Sequence, residues 1–556
     1  MKKKLCMILA LAMVAGTIFT GCGVGSKNEN ILGQKQEGER KNSVVYGTPT
    51  APVGTFQPIL AYMSSDNLVD DVIYSSLLER KPDGSLEESL CESYSISEDQ
   101  KTIEFVVREG VKWHDGEDLT AEDVAFTYES YGKTADDFGK VSYIEGAQDY
   151  RDGKTEHMSG ITWEGNKVTI KLTEVYAPFI NKIGVSKIIP KHIWGEIPFE
   201  KWQEQTELLN NPIGCGPYKM LKYTSGESVE LEANKEYFEG EPKIEKFILK
   251  VVNPDAIAAE LSSGNIDIVE AKELKNSEIK ELEEEGFKKY SIADNMYQYV
   301  SFNMRMPIFQ DKTLRQAITY AIDRKAILDN IVEGRGSLIH APFIPGGWAT
   351  PQESDVNTYE YNPEKAVELL ESAGWKDSDG DGIRENVKGE KLQFKLRCSN
   401  DSKIRENAVL YVKECLKKVG IEIEVSIEED SLVAEDCIYN HNYEMYALNC
   451  YFNADPDPYY WWSSESASDE PGEPSFNFGS YKNDSVDKNI QAALKTNDQH
   501  ERAKYYIDIA KQINEDAPMI FLYVQNREIM TSPNLKGFNP GTFNLYYNVS
   551  KWEITK

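Results

Sequence analysis

Apolar residues recur at every second position in several stretches, and each stretch predicts a strand with one buried face. Ile103, Phe105 and Val107 form one such run, Val168, Ile170 and Leu172 another, and Phe247, Leu249 and Val251 a third. Ile421, Ile423, Val425 and Ile427 give the cleanest period-two pattern. Helical spacing interleaves with these runs. Thr120-Ala121-Glu122-Asp123 reads as a capping box, in which a hydroxyl and a carboxylate three residues on satisfy backbone N–H groups at a helix start; it predicts a helix through Tyr128. Leu314, Ala317, Ile318, Ala321 and Ile322 share one helical face, with Gly334 as a stop. Asn362-Pro363 opens another helix, Val367, Leu370 and Ala373 lie along its face, and Gly374 closes it. No short-period repeat is present, which argues against a solenoid or propeller. The pattern is α/β with mixed sheets.

The N-terminal pattern is different. Lys2, Lys3 and Lys4 precede an uncharged apolar run over residues 5–20. The run is shorter than the ~20 residues a spanning helix needs. It ends in Phe19-Thr20-Gly21-Cys22, so the whole reads as a secretory signal. The last four residues resemble a bacterial lipobox, in which Cys22 is acylated and becomes the new N-terminus; Phe19 stands where such boxes carry Leu. The alternative is a plain cleaved signal with Cys22 an incidental thiol. Residues 23–42 are polar and read as a tether. Both readings place the folded chain outside the cytoplasm, and the lipobox holds it at the membrane by a lipid anchor. No later apolar run approaches spanning length.

Composition narrows the function classes. The 556 residues suffice for several domains, and the net charge of −31 disfavours nucleic acid, whose phosphates need a basic counter-surface. Beyond Cys6 and Cys22, the cysteines are Cys91, Cys215, Cys398, Cys415, Cys437 and Cys450, with no C-x-x-C pair. They are expected to be mostly free, buried thiols.

Several segments together resemble one family. Residues 90–130 (LCESYSISEDQKTIEFVVREGVKWHDGEDLTAEDVAFTYES) are similar to the signature stretch of the family 5 extracellular solute-binding proteins, which serve peptide, nickel and related ABC importers. NPIGCGPYKMLKY (211–223) resembles the family's Gly-x-Gly-Pro-Tyr turn and following strand. EANKEYFEGEPKIEKFILKVV (232–252), SSGNIDIVEA (262–271), TLRQAITYAIDRKAIL (313–328) and DPDP (455–458) continue the match in family order. The resemblance implies a two-lobe, hinged α/β fold of the periplasmic-binding-protein type (type II, cluster C), with the ligand in the cleft and an extra subdomain on lobe I. By carry-over, lobe I is 43–75, 190–295 and 511–556, the inserted subdomain is 76–189, and lobe II is 296–510. Crossings between lobes are expected near Asn295 and Glu515. The implied role is a monomeric receptor that captures a solute, an oligopeptide first of all, and docks on ABC permease subunits. An oligosaccharide or nickel-chelate receptor on the same fold, and a surface lipoprotein hydrolase, are the alternatives.

The resemblance also points to ligand-binding candidates. Tyr299 and Asn303 sit in the strand leading into lobe II, where a strand end leaves backbone groups free for a ligand; a buried hinge strand is the competing reading. Tyr451, Phe452, Asp455 and Trp461 belong to CYFNADPDPYYWWSSES (450–466), where aromatic density is highest; core packing competes there. In peptide-binding relatives an aspartate three residues before the Asp-Pro step fixes the peptide's α-amino group, and here that position is Phe452. An apolar ring cannot neutralise an ammonium, so Asp455 substitutes or the ligand is not a peptide. On lobe I, Tyr62, Met63 and Ser64 align with a cleft-lining loop or with a simple helix entry. Trp348 aligns with a loop near the cleft or packs internally.

One motif is legible without the family. Asp377, Asp379 and Asp381 at positions 1, 3 and 5, Gly382 at 6, the Ile383 carbonyl at 7 and Glu385 at 9 match the start of an EF-hand-type loop for a structural Ca²⁺. Position 12 is Lys388 rather than a bidentate Glu, and an acidic surface hairpin is the other reading. No further cofactor is called for. Enzyme motifs are absent or broken: Gly132-Lys133-Thr134 lacks the P-loop glycine (Thr127 stands there), and His114, His157, His192, His340, His441 and His500 are scattered. The chain is not expected to be an enzyme.

Overall fold

The computed structural model describes residues 42–134, 139–473 and 475–555. The signal, Cys22 and the tether up to residue 41 lie outside the described residues. From Asn42 onward the chain forms one compact unit. Among the described residues, no helix is long and apolar enough to cross a membrane.

A single mixed sheet runs through this body. Its strand order is Glu422–Glu428, Gln393–Ser399, Met445–Tyr451, Lys288–Phe302, Met519–Thr531, Ile268–Glu270, Ser43–Thr48, Lys246–Val251, Ser228–Ala233 and Tyr218–Thr224. Alternation along each strand feeds a different core on each face. Val44 and Tyr46 join Phe247, Leu249, Val229 and Leu231 on one side, while Val45 joins Val269, Met530, Ile257 and Leu261 on the other. At the opposite end of the sheet, Val300, Phe302, Met445 and Ala447 pack under the helices Lys312–Tyr320 and Lys403–Lys417. Tyr297, Tyr299, Leu448 and Cys450 face the other way, towards the helices Asp484–Leu494 and Gln499–Asp516. Each such fully buried side chain contributes ~1.5–3 kcal/mol.

Two strands, Lys288–Phe302 and Met519–Thr531, are long enough to serve both ends of the sheet. They pair from Lys288↔Thr531 to Ala293↔Asn526, lose register, and resume at Tyr297↔Val524. The interruption leaves Asp294, Asn295 and Met296 opposite Gln525, so the ladder is weakest where the two ends meet. Asn295, an expected crossing, lies in this break. Glu515 does not: it is in the last turn of the helix Gln499–Asp516, held by Lys312 Nζ at 2.8 Å. The second passage is the strand after it.

A separate four-stranded antiparallel sheet occupies the 76–189 segment, ordered Cys91–Ile96, Thr102–Val107, Lys167–Lys171 and Ile161–Glu164. The helix Ala121–Tyr131 packs on it through Val124, Ala125 and Tyr128. Its capping box is formed: Thr120 N and Oγ1 donate to Asp123 Oδ2 at 2.8 and 3.0 Å. The helix beginning at Pro363 is likewise capped by Asn362, which accepts from Lys365 N at 2.8 Å. The helix begun at Lys312 stops at Tyr320 rather than running to Gly334, because Asp323 caps a new turn by accepting from Ala326 N at 2.9 Å. The Gly-x-Gly-Pro-Tyr turn has a steric cause. A Cβ on Gly214 would lie 2.0 Å from the Ile73 carbonyl oxygen, and Gly216 N donates to that oxygen at 2.7 Å. The six cysteines from Cys91 to Cys450 are buried free thiols.

Candidate functional site: the hinge and the acidic turn

The broken ladder is flanked by charge. Arg527 grips Glu270 through Nε at 2.7 Å and through a second guanidinium nitrogen, and Tyr46 OH donates to the same carboxylate at 3.4 Å. Burial raises Asp294 above the usual carboxylate range. Arg335 adds a strap beside it: Nε reaches Glu528 at 2.8 Å, and Nη1 and Nη2 donate to the carbonyls of Leu274 and Ala271 at 2.9 and 2.6 Å.

Tyr299, Phe452 and Trp461 come together in one aromatic wall. Tyr297 lies 5.5 Å from Tyr299 and 5.0 Å from Phe452, and Phe452 N donates to the Asn295 carbonyl at 2.7 Å. Trp461 packs edge-on to Phe476 and Phe478. Tyr299, Trp461 and their neighbours line a void of only about 20 Å³. Tyr451, the next residue along from Cys450, is 52% exposed at the strand end. Asn303 is buried, and its Nδ2 donates to the carbonyls of His441 and Tyr443 at 3.1 and 2.8 Å, so it fixes the loop before the strand Met445–Tyr451. Tyr62, Met63 and Ser64 stand apart at the entry to the helix Ser64–Ile73. Tyr62 is 76% exposed, and the Met63 carbonyl accepts from Asp66 N and Asn67 N at 3.1 Å.

Asp455 does internal work. Arg502 Nη1 and Nη2 donate to its two oxygens at 2.9 and 2.6 Å, and Asn181 Nδ2 adds a bond at 3.0 Å. The Arg502 guanidinium lies 5.4 Å from the Trp348 ring centroid, which brings Trp348 into the same cluster. A ligand ammonium would have to displace Arg502 to reach this carboxylate. Asp457, two residues on, accepts from Tyr176 OH at 2.9 Å and pairs with Lys182 at 3.2 Å. The acidic turn is thereby bonded to the 176–182 segment of the inserted subdomain. The sequence carried a signal for Arg502 that its reading passed over: Arg502, Tyr506, Ile509 and Ile513 share a helical face, so an arginine sits on an apolar stripe and requires a buried partner.

The loop from Asp377 brings oxygens of Asp377, Asp379 and Glu385 within 4.8 Å of one another. Asp381 lies outside this group and pairs with Lys391, which also reaches Asp379 at 3.6 Å. Backbone donors also hold the loop: Gly380 N and Gly382 N reach Asp377 at 2.8 and 3.1 Å, and Ile383 N reaches Asp381 at 2.9 Å.

A cavity of about 260 Å³ adjoins the acidic turn. Tyr74, Glu79, Lys187, Tyr237 and Tyr546 are among the residues that line it, and Ala454 of the turn is on its wall.

These features have counterparts among known proteins. The family model for bacterial extracellular solute-binding proteins, family 5 (middle), matches residues 85–472. The chain belongs to this family. The oligopeptide-binding protein AppA of Bacillus subtilis is 31% identical over 567 residues, covering 100% of this chain and 99% of that one. The family 5 fold is also seen in the solved structure of that AppA in complex with a nonapeptide, with a TM-score of 0.72 over 92% of this chain and 99% of that one. NikZ from Campylobacter jejuni, in complex with Ni(L-His), gives 0.71 at 25% identity, covering 92% and 99%. The two-lobe periplasmic-binding-protein architecture expected from the sequence is therefore the fold of this chain.

Proposed function

We propose that this protein is the solute receptor of an ABC importer, that its solute is an oligopeptide, and that Cys22 carries a lipid anchor. The observation that supports this reading most is the shared break in the two long strands. A paired interruption at Asp294–Met296 and Gln525 lets each end of the sheet stay rigid while backbone dihedrals change between them. Peptide main chain suits such a place, because strand ends present N–H and C=O groups outside the ladder. The similarity to AppA of Bacillus subtilis, which is known with a nonapeptide bound, supports the same solute class.

The residues shape how a peptide is held. Phe452 offers no charge to an amino end, and Asp455 is neutralised by Arg502. Peptide affinity therefore comes from backbone contacts and apolar pockets rather than from a lobe II carboxylate. No step makes or breaks a bond. Closure around the peptide shifts a population, by as much as the peptide prefers the closed form.

The test is titration calorimetry of the purified protein with peptides of four to nine residues, with mass spectrometry of the peptides afterwards. The expected result is saturable binding with every peptide recovered intact. Cleaved peptides, or saturation only by sugars or nickel chelates, would overturn the proposal.

A further inference from the structure

The strand break is held from outside the two long strands. Ala293, paired with Asn526 just before the break, has its carbonyl bonded by Thr542 Oγ1 at 2.9 Å. Asn295, inside the break, accepts from Phe452 N at 2.7 Å, and its own N–H donates to the Asp294 carboxylate at 2.7 Å. One hold comes from the C-terminal stretch and the other from the acidic turn.

Both holds lead to Arg80. Thr542 belongs to the turn Gly541 to Asn544. Asn544 Oδ1 accepts from Tyr546 N at 3.1 Å, which leaves Nδ2 to donate to the Arg80 carbonyl at 2.8 Å and to Glu79 at 3.1 Å. A Cβ on Gly541 would lie 2.7 Å from Pro82 Cα, so this turn sits directly on the hairpin made by Leu78–Arg80 and Leu86–Glu88. From the other side, Phe452 leads in three residues to Asp455, which accepts from Asn181 Nδ2 at 3.0 Å. Asn181 Oδ1 in turn accepts from Arg80 Nη1 and Nη2, at 3.2 Å each. Arg80 is 5% exposed and is fixed further by the Gly84 carbonyl at 2.8 Å. The contacts close a circuit from the hinge through the 541–544 turn, Arg80, Asn181 and the acidic turn back to the hinge. Arg80, Phe543, Asn544 and Ala454 also line the 260 Å³ cavity, so side-chain packing is incomplete where the circuit runs.

We propose that Thr542 and Asn544 are positioning residues for closure: they fix the hinge strand to Arg80, so that bending at residues 294–296 delivers Asn181 onto Asp455. The proposal rests on the peptide-receptor reading and its closing motion. In that motion the link that parts on opening is Asn181 to Asp455. The Thr542 link stays made and restricts where the seam lands, which lowers the ordering cost of forming it. Thr542 therefore acts through the seam, and its effect vanishes when the seam bond is gone.

The test is a double-mutant cycle on the full chain. Thr542→Val removes the hydroxyl at nearly constant shape. Asn181→Ala removes the seam bond while Arg80 keeps the Asn181 and Gly84 carbonyls, so the fold is retained. Peptides of four to nine residues are titrated into the four proteins, and the ligand-free radius of gyration is measured for each. Asn181→Ala should weaken peptide binding about tenfold and Thr542→Val about threefold, and the double variant should match Asn181→Ala alone. Thr542→Val should enlarge the ligand-free molecule only when Asn181 is present. Effects that multiply in the double variant, or a Thr542→Val chain with natural affinity and natural radius, would overturn the positioning role and leave the peptide receptor standing. If no peptide binds the natural chain, the receptor reading falls, and the radii still decide whether Thr542 acts through the seam.

Discussion

At the residue scale, His114 shows how a family signature position can be structural. Its Nε2 lies 3.1 Å from the Gly216 carbonyl oxygen, and its Nδ1 accepts from Gly214 N at 3.2 Å. That pair of contacts requires a neutral ring, with the proton on Nε2. Burial pushes its pKa down to about 4, and His340 is pushed down to about 4 as well. An unfolded histidine titrates near ~6.5. Between these values the unfolded chain binds protons that the folded chain refuses, so stability falls as pH drops from about 6.5 towards 4 and is unaffected above that window. Each histidine accounts for up to ~3 kcal/mol of the loss. Urea midpoints taken from pH 7.5 to 4.5 should fall steeply for the natural chain and less steeply for His114→Gln; equal slopes would remove His114 from the account. Arg502 makes a second case. Arg502→Gln leaves the buried Asp455 with Asn181 alone and should cost ~3–5 kcal/mol in urea unfolding. A cost under ~1 kcal/mol would mean that the pair is solvated in solution.

At the element scale, local rules were readable and long-range ones were not. The Thr120 and Asn362 caps formed because a cap needs only residues within one turn. The period-two runs became strands, since alternation reports one buried face. Three things stayed hidden. The stop at Tyr320 depended on Asp323 capping the next turn, a choice that Gly334 further along could not reveal. The second passage between the sheet's ends was placed near Glu515, because helix and strand boundaries are softer than their existence. The Asp455–Arg502–Asn181 cluster joins residues far apart in sequence, so the partners of Asp455 could not be read from its neighbours. By contrast, the Gly-x-Gly-Pro-Tyr turn was legible as a motif, and the structure supplies its reason in the Ile73 backbone. Gly214→Ala should therefore shift the turn off Ile73 and lower the thermal midpoint by roughly 1–3 °C, since a clash at 2.0 Å involves a carbonyl that cannot move alone. A variant that melts with the natural chain would show that the turn is pliable.

At the scale of the whole molecule, the inserted subdomain is bonded to the acidic turn and to the helices beyond it. Besides the bonds to Asp455 and Asp457, Ala177 N donates to the Leu494 carbonyl at 2.8 Å, and Asn497 donates to Gln100 Oε1 at 2.9 Å. These contacts span the two lobes implied by the family, while the strand break at Asp294–Met296 is the soft point between them. In the closing motion proposed above, opening about that point parts the bonds, so they would bias the molecule towards closure. Net worth per hydrogen bond is ~1 kcal/mol, rather more for one to a charge. Removing the bonds of Tyr176 and Lys182 to Asp457 then weakens the closed form by ~2–3 kcal/mol. If a peptide binds only the closed form productively, its apparent affinity falls by up to the same free energy, at most on the order of 30- to 150-fold and less the more the ligand-free natural chain is already closed. The Tyr176→Phe/Lys182→Met variant should thus bind peptides more weakly with unchanged selectivity. Its ligand-free radius of gyration in solution scattering should exceed that of the natural chain, and saturating peptide should bring the two together. Identical radii and affinities would mean that the acidic turn and the subdomain move as one piece, and that closure happens elsewhere.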